Sequence, residues 1–310
     1  MERGWLSSNS VLLSNDQDCV LIDSGYVSHG AQTLALVQHA VGNKSLGMLI
    51  NTHLHSDHCG GNALFQRSYP QLKTYIGPGE AGYVQPWQAD KLTHKASGQR
   101  CEPFTYDGLV HPGQTLNLVQ REWVVLAAPG HDPHALMFWC EAEGVLISAD
   151  ALWENGFGIV FPELVGEHGF EDVGKTLDAI DALNPRIVLP GHGRAFTDVR
   201  SAIERARSRL AFFCERPASH THHALKALVK FLLLDQQRMT WVELRNWVVD
   251  ASLMRETLNR GLSQGYGAQD EQAIRRWGAT SAAENWLATA IEQLISSEVI
   301  AGDGQTIWDI

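Results

Sequence analysis

The stretch LINTHLHSDHCGGN, residues 49–62, constrains this chain more than any other. The apolar run from Leu46 to Ile50 reads as a short buried strand in a sheet covered on both faces. It stops in four metal-capable side chains within six positions: His53, His55, Asp57 and His58. If the backbone stays extended past the strand, alternate side chains share a face, which groups His53, His55 and Asp57 and leaves His58 where the chain turns. Cys59, Gly60 and Gly61 then permit a tight turn into a helix from Asn62 onward, its positive dipole end toward the same place. Two imidazoles from one strand end suit one borderline-soft divalent ion, and the carboxylate and third imidazole point to a second. The stretch therefore asks for two divalent metal ions, zinc foremost, with iron or manganese also compatible. A histidine-rich surface loop would not require this spacing at a strand end followed by Cys-Gly-Gly.

Three strands further on repeat the pattern in single copy. Trp123–Ala127 runs into Pro129-Gly130-His131, Val145–Ile147 into Ser148-Ala149-Asp150, and Ile187–Leu189 into Pro190-Gly191-His192-Gly193. Core packing does not explain why each strand should end in one metal-capable residue beside Gly or Pro. Upstream, residues 9–23 read as a hairpin turning at Asn15-Asp16, and residues 30–41 carry apolar groups at helical spacing. Strand, helix, strand, with reactive residues at the carboxyl end of the second strand, is where an α/β fold places a site. The first strand starts so near residue 1 that either an earlier edge strand has been lost or the start lies upstream.

With HLHSDH, APGH, SAD and PGHG in this order and at these separations, residues 5–205 resemble the metallo-β-lactamase superfamily of metallohydrolases. The resemblance implies an α+β fold: an αββα sandwich of two related halves, with the metal site along one sheet edge. Carried over position by position, it implies that His53, His55 and His131 ligate one metal and that Asp57, His58 and His192 ligate the second. Asp150 bridges both, and no ligand position is missing. Two such ions share a hydroxide at near-neutral pH and stabilise an oxyanion or leaving group, so the reaction class is metal-assisted hydrolysis. Asp57, if weakly coordinated, can also take the proton of the attacking water as a catalytic base. His134, three residues after His131, is a second catalytic candidate as a hydrogen-bond donor or ligand, against a merely structural role. Cys59 is expected to be a packed turn residue and Arg194 a surface ion-pair partner. The loop 151–169, with Trp153, Phe157, Ile159, Phe161 and Leu164, reads equally as a substrate-pocket wall or as ordinary burial.

The 310 residues divide by pattern into a catalytic domain, 1–205, and a mostly helical, winged-helix-like domain, 206–310. In the second, residues 225–234 are amphipathic, Thr240 and Glu243 match a capping box, and 281–295 form another helix. A terminal pair of short strands surrounds Gly302-Asp303-Gly304. His220, His222 and His223 read as a solvated cap or linker. Such an appendage occurs in superfamily members that cleave single-stranded RNA, which raises an endoribonuclease or phosphodiesterase as the alternative. Charge argues against nucleic acid: residues 1–204 hold 12 basic and 23 acidic groups and residues 205–310 hold 12 of each, whereas phosphate binding leans on Lys and Arg. The module is then a pocket wall or a dimerisation element, the latter implying a homodimer.

The leading reading is a dinuclear hydrolase of a small ester, thioester or lactone, similar to glyoxalase II-like members. An iron-dependent persulfide oxygenase is a further alternative, disfavoured because oxygenases of this superfamily use fewer ligands around one iron. Five cysteines without paired spacing fit a reduced, cytoplasmic protein. Residues 1–16 lack a basic region followed by an apolar core, so no signal peptide is expected, and no apolar run reaches the roughly 18 residues of a membrane span.

Overall fold

An antiparallel hairpin opens the chain: β1, Val11–Ser14, and β2, Asp18–Ile22, turn at Asn15, whose side-chain oxygen accepts from the Gln17 and Asp18 amides. The computed structural model describes residues 1–265 and 270–310. From β2 the chain crosses through the helix Gly30–Val41 to β3, Ser45–Ile50, which lies parallel to β2. Two more parallel strands, β4 at Lys73–Ile76 and β5 at Gly108–Leu109, complete a sheet in the order β1-β2-β3-β4-β5. β5, with two residues, is too short to carry a period, so the pattern does not reveal it.

The second sheet is a meander of β6, Thr115–Leu118, β7, Arg121–Ala127, β8, Leu136–Cys140, and β9, Val145–Ala149. After the helix Phe170–Leu183, β10 at Ile187–Pro190 joins β9 in parallel, giving the order β10-β9-β8-β7-β6. Period-two alternation decides the layering. Val20, Ile22 and Ile50 point to the interior, where they meet Val125, Leu136, Phe138 and Ile147 of the second sheet. Cys19, Leu21 and Leu49 point the other way and pack with Val37, Val41 and Phe65, residues of the helices Gly30–Val41 and Asn62–Ser68. Phe170–Leu183 buries Val173, Leu177 and Ile180 along one stripe. The αββα layering expected of the chain is present. Each large side chain withdrawn from water in these layers contributes roughly 1.5–3 kcal/mol.

The chain divides into two compact units. One comprises residues 1–94, 100–163 and 168–210; the other comprises 95–99, 164–167 and 211–310. The second unit holds the helices Pro217–Gln236, Trp241–Asp250, Ser252–Ser263, Glu271–Trp277 and Ala282–Ser296. Its sheet runs β11-β13-β12, with β11 at Arg238–Thr240, β12 at Ile300–Gly302 and β13 at Thr306–Asp309. The Thr240–Glu243 capping box forms as expected, with Glu243 N donating to Thr240 Oγ1 at 3.2 Å and Thr240 N to Glu243 Oε2 at 2.7 Å.

The histidines of this unit require a correction. His220 and His222 are buried rather than solvated, because the helix begins at Pro217 and its apolar stripe runs back through His222 from Leu225 and Val229. Trp286 Nε1 donates to His222 Nδ1 at 3.1 Å, leaving Nε2 to donate to Gln293 Oε1 at 2.6 Å. Among the described residues, no helix is long and apolar enough to cross a membrane.

Candidate metal centre

The extended alternation expected after β3 does not occur. The strand stops at Ile50, and Ser56–Cys59 winds into one helical turn, so Asp57 sits beside His58 rather than on the face shared by His53 and His55. Two groups result. In the first, His53 Nε2 and His131 Nε2 approach His55 Nδ1 at 3.0 and 2.9 Å. In the second, Asp57 Oδ2 lies 3.0 Å from His192 Nε2 and 3.7 Å from His58 Nε2. Asp150 Oδ2 stands between the groups, 3.3 Å from His131 Nε2, 3.5 Å from His58 Nε2 and 3.8 Å from His192 Nε2. All seven side chains are buried.

Strand ends deliver them. β9 closes in Ala149, whose φ of +46° turns the chain sharply enough to aim Asp150 along the sheet edge. Gly191 is needed across from it: a Cβ there would stand 2.1 Å from Asp150 Oδ1. That same oxygen accepts from Trp153 Nε1 at 3.2 Å, so the carboxylate is held by one oxygen and presents the other. His131 Nδ1 donates to the Ile159 carbonyl at 2.6 Å. His58 Nδ1 meets Asp23 Oδ2 at 2.8 Å, and Thr52 Oγ1 donates to the same oxygen at 2.8 Å. Asp132 Oδ2 lies 3.5 Å from His55 Nε2. Asp23 and Asp132 were missed by sequence reasoning, although Asp23 ends the strand beside β3, where an orienting carboxylate belongs.

The electrostatics follow from burial and crowding. Burial and the neighbouring imidazoles of His58, His55 and His131 hold His53 well below the usual histidine range. Burial, with His131 beside it, brings His55 to about 4. His58 is the exception: burial disfavours its charge, yet the carboxylates of Asp23, Asp150 and Asp57 push it well above the ordinary value. Asp150 is likewise buried, but His192, His58 and His131 hold it well below the carboxylate range. His58 Nε2, although buried, has no hydrogen-bond partner while facing two carboxylates. An imidazole nitrogen so placed, within a nitrogen and oxygen donor set, fits a divalent cation.

Aromatic rings frame the centre. Trp5, 60% exposed, stacks on His192 with centroids 5.4 Å apart, and Trp153 meets the same ring edge-on at 5.3 Å. Phe161 lies 4.7 Å from the His55 ring and 5.4 Å from that of His131. A cleft of about 270 Å³ opens here, lined by Arg3, Trp5, Trp153, Glu154, His192 and Arg194. The loop after Asp150 thus divides: Phe157 and Val160 are core, whereas Trp153 and Phe161 reach the His192 and His55 rings. Arg194 pairs with Glu154 at 3.2 Å, as expected. His134 is outside both groups, exposed, its ring against Gly79 and its amide donating to Asp132 Oδ1 at 2.7 Å.

A sequence model of the metallo-beta-lactamase superfamily matches residues 3–192, the span that contains all seven side chains of the two groups. The chain belongs to that superfamily. This metallo-beta-lactamase superfamily member is 30% identical over 180 residues to a hydroxyacylglutathione hydrolase of Xanthomonas euvesicatoria, covering 58% of this chain and 55% of the relative. It is 27% identical over 208 residues to a hydroxyacylglutathione hydrolase of Vibrio cholerae, covering 67% and 64%. The chain therefore spans a little over half to just under two thirds of the length of these curated relatives. A metallo-beta-lactamase family protein from Thermus thermophilus shares the fold along 98% of this chain and 94% of its own, with a TM-score of 0.53 at 19% identity. Another structure, solved in a di-iron-bound form, superposes on 64% of this chain and 92% of its own, with a TM-score of 0.51 at 24% identity.

Proposed function

We propose that residues 1–205 carry a dinuclear metal-dependent hydrolase acting on a thioester of a small thiol. The observation that carries the reading is the place of Asp150 Oδ2, within 3.8 Å of a ligand imidazole from the first group and of two from the second. On this reading His53, His55 and His131 hold one divalent ion, Asp57, His58 and His192 the other, and Asp150 both. Zinc suits the donors best, and iron is compatible with them. When bound, such a pair supplies a water acidified to near neutrality and a Lewis acid for the developing oxyanion.

The chain's own residues do the rest. Asp23 fixes the ring plane of His58 through its outer nitrogen, and the Asp132 carboxylate stands 3.5 Å from the outer nitrogen of His55. Asp57 accepts the proton of the attacking water, its carboxylate kept ionised by His58 and His192 despite burial. Trp5, Trp153 and Phe161 give the acyl group an apolar wall and keep bulk water from the reacting carbonyl. His134, exposed and outside both groups, is the candidate hydrogen-bond donor to substrate, against a structural role. A thioester is favoured over an ester or lactone by the likeness to hydroxyacylglutathione hydrolases.

The test is a hydrolysis panel on metal-quantified protein. S-2-hydroxyacyl thioesters of glutathione are compared with lactones, aryl esters, bis(p-nitrophenyl) phosphate and a short single-stranded RNA. Thioester turnover abolished by chelation and restored by metal is expected. Phosphodiester or RNA cleavage without carbonyl turnover would overturn the reading.

A further inference from the structure

A second convergence of metal-ligating side chains lies beside the first and shares no residue with it. Cys59 Sγ, His94 Nε2 and Cys101 Sγ come together from three places: the turn that follows His58, the helical turn Thr93–Ala96, and the segment leading toward β5. Cys59 Sγ is 3.7 Å from His94 Nε2 and 3.9 Å from Cys101 Sγ, and the three ligand atoms lie within 4.8 Å of one another. A tetrahedral ion bonded at roughly 2.3 Å to sulfur and 2.0–2.1 Å to nitrogen requires sulfur–sulfur and sulfur–nitrogen edges of roughly 3.5–3.8 Å. Both distances from Cys59 are within a few tenths of an ångström of those edges.

We propose that Cys59, His94 and Cys101 form a structural site for one thiophilic divalent ion, of the zinc class, separate from the dinuclear centre. Two thiolates neutralise the dication, which removes the penalty of an uncompensated buried charge. The ion displaces one proton from each thiol and takes Nε2 of His94, whose proton moves to Nδ1. The Leu54 carbonyl, 2.7 Å from His94 Nε2 and 3.4 Å from Cys59 Sγ, accepts from both groups and holds them in register before the ion arrives.

The site is apolar around Cys59 and His94 and half-buried at Cys101. Leu54, Ile76, Val84, Leu92 and Phe104 form an apolar shell around Cys59, and Trp87 stacks on the His94 ring at 6.0 Å. Residues 78–105 have little regular structure to hold them, only the single turns Ala81–Val84 and Thr93–Ala96. A metal clip would join His94 and Cys101 of that segment to Cys59 and add a cross-link to its short turns.

Cobalt reconstitution of the full-length chain tests this. The ligands of the dinuclear centre are all nitrogen and oxygen, so a thiolate-to-cobalt charge-transfer band in the near ultraviolet reports on the cysteine site alone, whatever the dinuclear centre does. The expected result is a strong band in the wild type, lost in Cys101→Ser and in His94→Gln, with metal content falling by one equivalent. Cys101 is half-buried, so its replacement by serine is the milder change. If either variant fails to fold, the wild type still decides: zinc should protect Cys101 from maleimide, and a chelator should expose it. A wild type without the band, a band that persists in Cys101→Ser, or metal-loaded protein in which Cys59 and Cys101 have paired as a disulfide would each overturn the proposal.

Discussion

Asp23 Oδ2 is 2.8 Å from His58 Nδ1, a contact spanning 35 positions of sequence that ties the end of β2 to a ligand on the turn after β3. The same carboxylate receives the Thr52 amide and hydroxyl, at 2.9 and 2.8 Å. His58 is thereby pinned in one ring orientation before any ion binds. Removing the carboxylate should cost metal affinity rather than fold. Asp23→Asn is expected to weaken binding about 10–100-fold, typical of an orienting partner, with activity recovering at high metal. Competition against a chromogenic chelator measures it, and an affinity equal to the wild type would sink the assignment.

Asp150 Oδ2 stands near imidazoles of both groups. Asp150→Ala should lose at least one metal equivalent and nearly all activity, by elemental analysis and initial rates on the best substrate. Two retained equivalents with near-full turnover would remove the dinuclear reading.

His134 stands apart from the ligands, so its role is separable from metal binding. His134→Ala should keep the full metal complement while kcat/KM falls about tenfold, the worth of one hydrogen bond. Unchanged kcat/KM would make the residue structural.

Glu80 gives a pH signature. Burial, with Asp132 beside it, raises its carboxyl from 4.5 to about 8. An unfolded chain ionises this group above 4.5 while the folded chain keeps the proton, so its contribution to stability is full below that value and is lost as pH rises toward 8. In metal-stripped protein, Glu80→Gln should raise Tm by several degrees relative to wild type at pH 8.5 and leave it close to wild type near pH 4.5. Parallel Tm profiles across that range would show that the carboxyl is not held neutral.

What could be read in advance depended on whether a signal was local. The convergence of seven metal-capable side chains was legible because they follow strands and stand among Gly, Pro or polar turn residues, a pattern visible in single-letter code. The alternation argument misplaces Asp57 even so, because it assumes an extended backbone where a helical turn begins at Ser56. Asp23 and Asp132 were not visible because their function is a distance, and distances between strands are not written in spacing. The burial of His220 and His222 was hidden by polar neighbours at the start of a helix whose apolar stripe declares itself only from Ala224 onward. The helices Ser252–Ser263 and Glu271–Trp277 and the strand β11 went unread because they are short or predominantly polar, and tertiary packing rather than propensity holds them.

The two ligand groups also differ in when they can exist. His53, His55 and His131 are all present once the ribosome has passed residue 131, whereas Asp57 waits for His192, 135 positions later in the chain. At roughly 5–20 residues per second, several seconds of synthesis separate the two moments. The three imidazoles of the first group are therefore all synthesised on a nascent chain that still lacks β10, and the second group can close only when that strand docks beside β9. Biogenesis gives the two halves of the centre an order that the finished protein no longer displays.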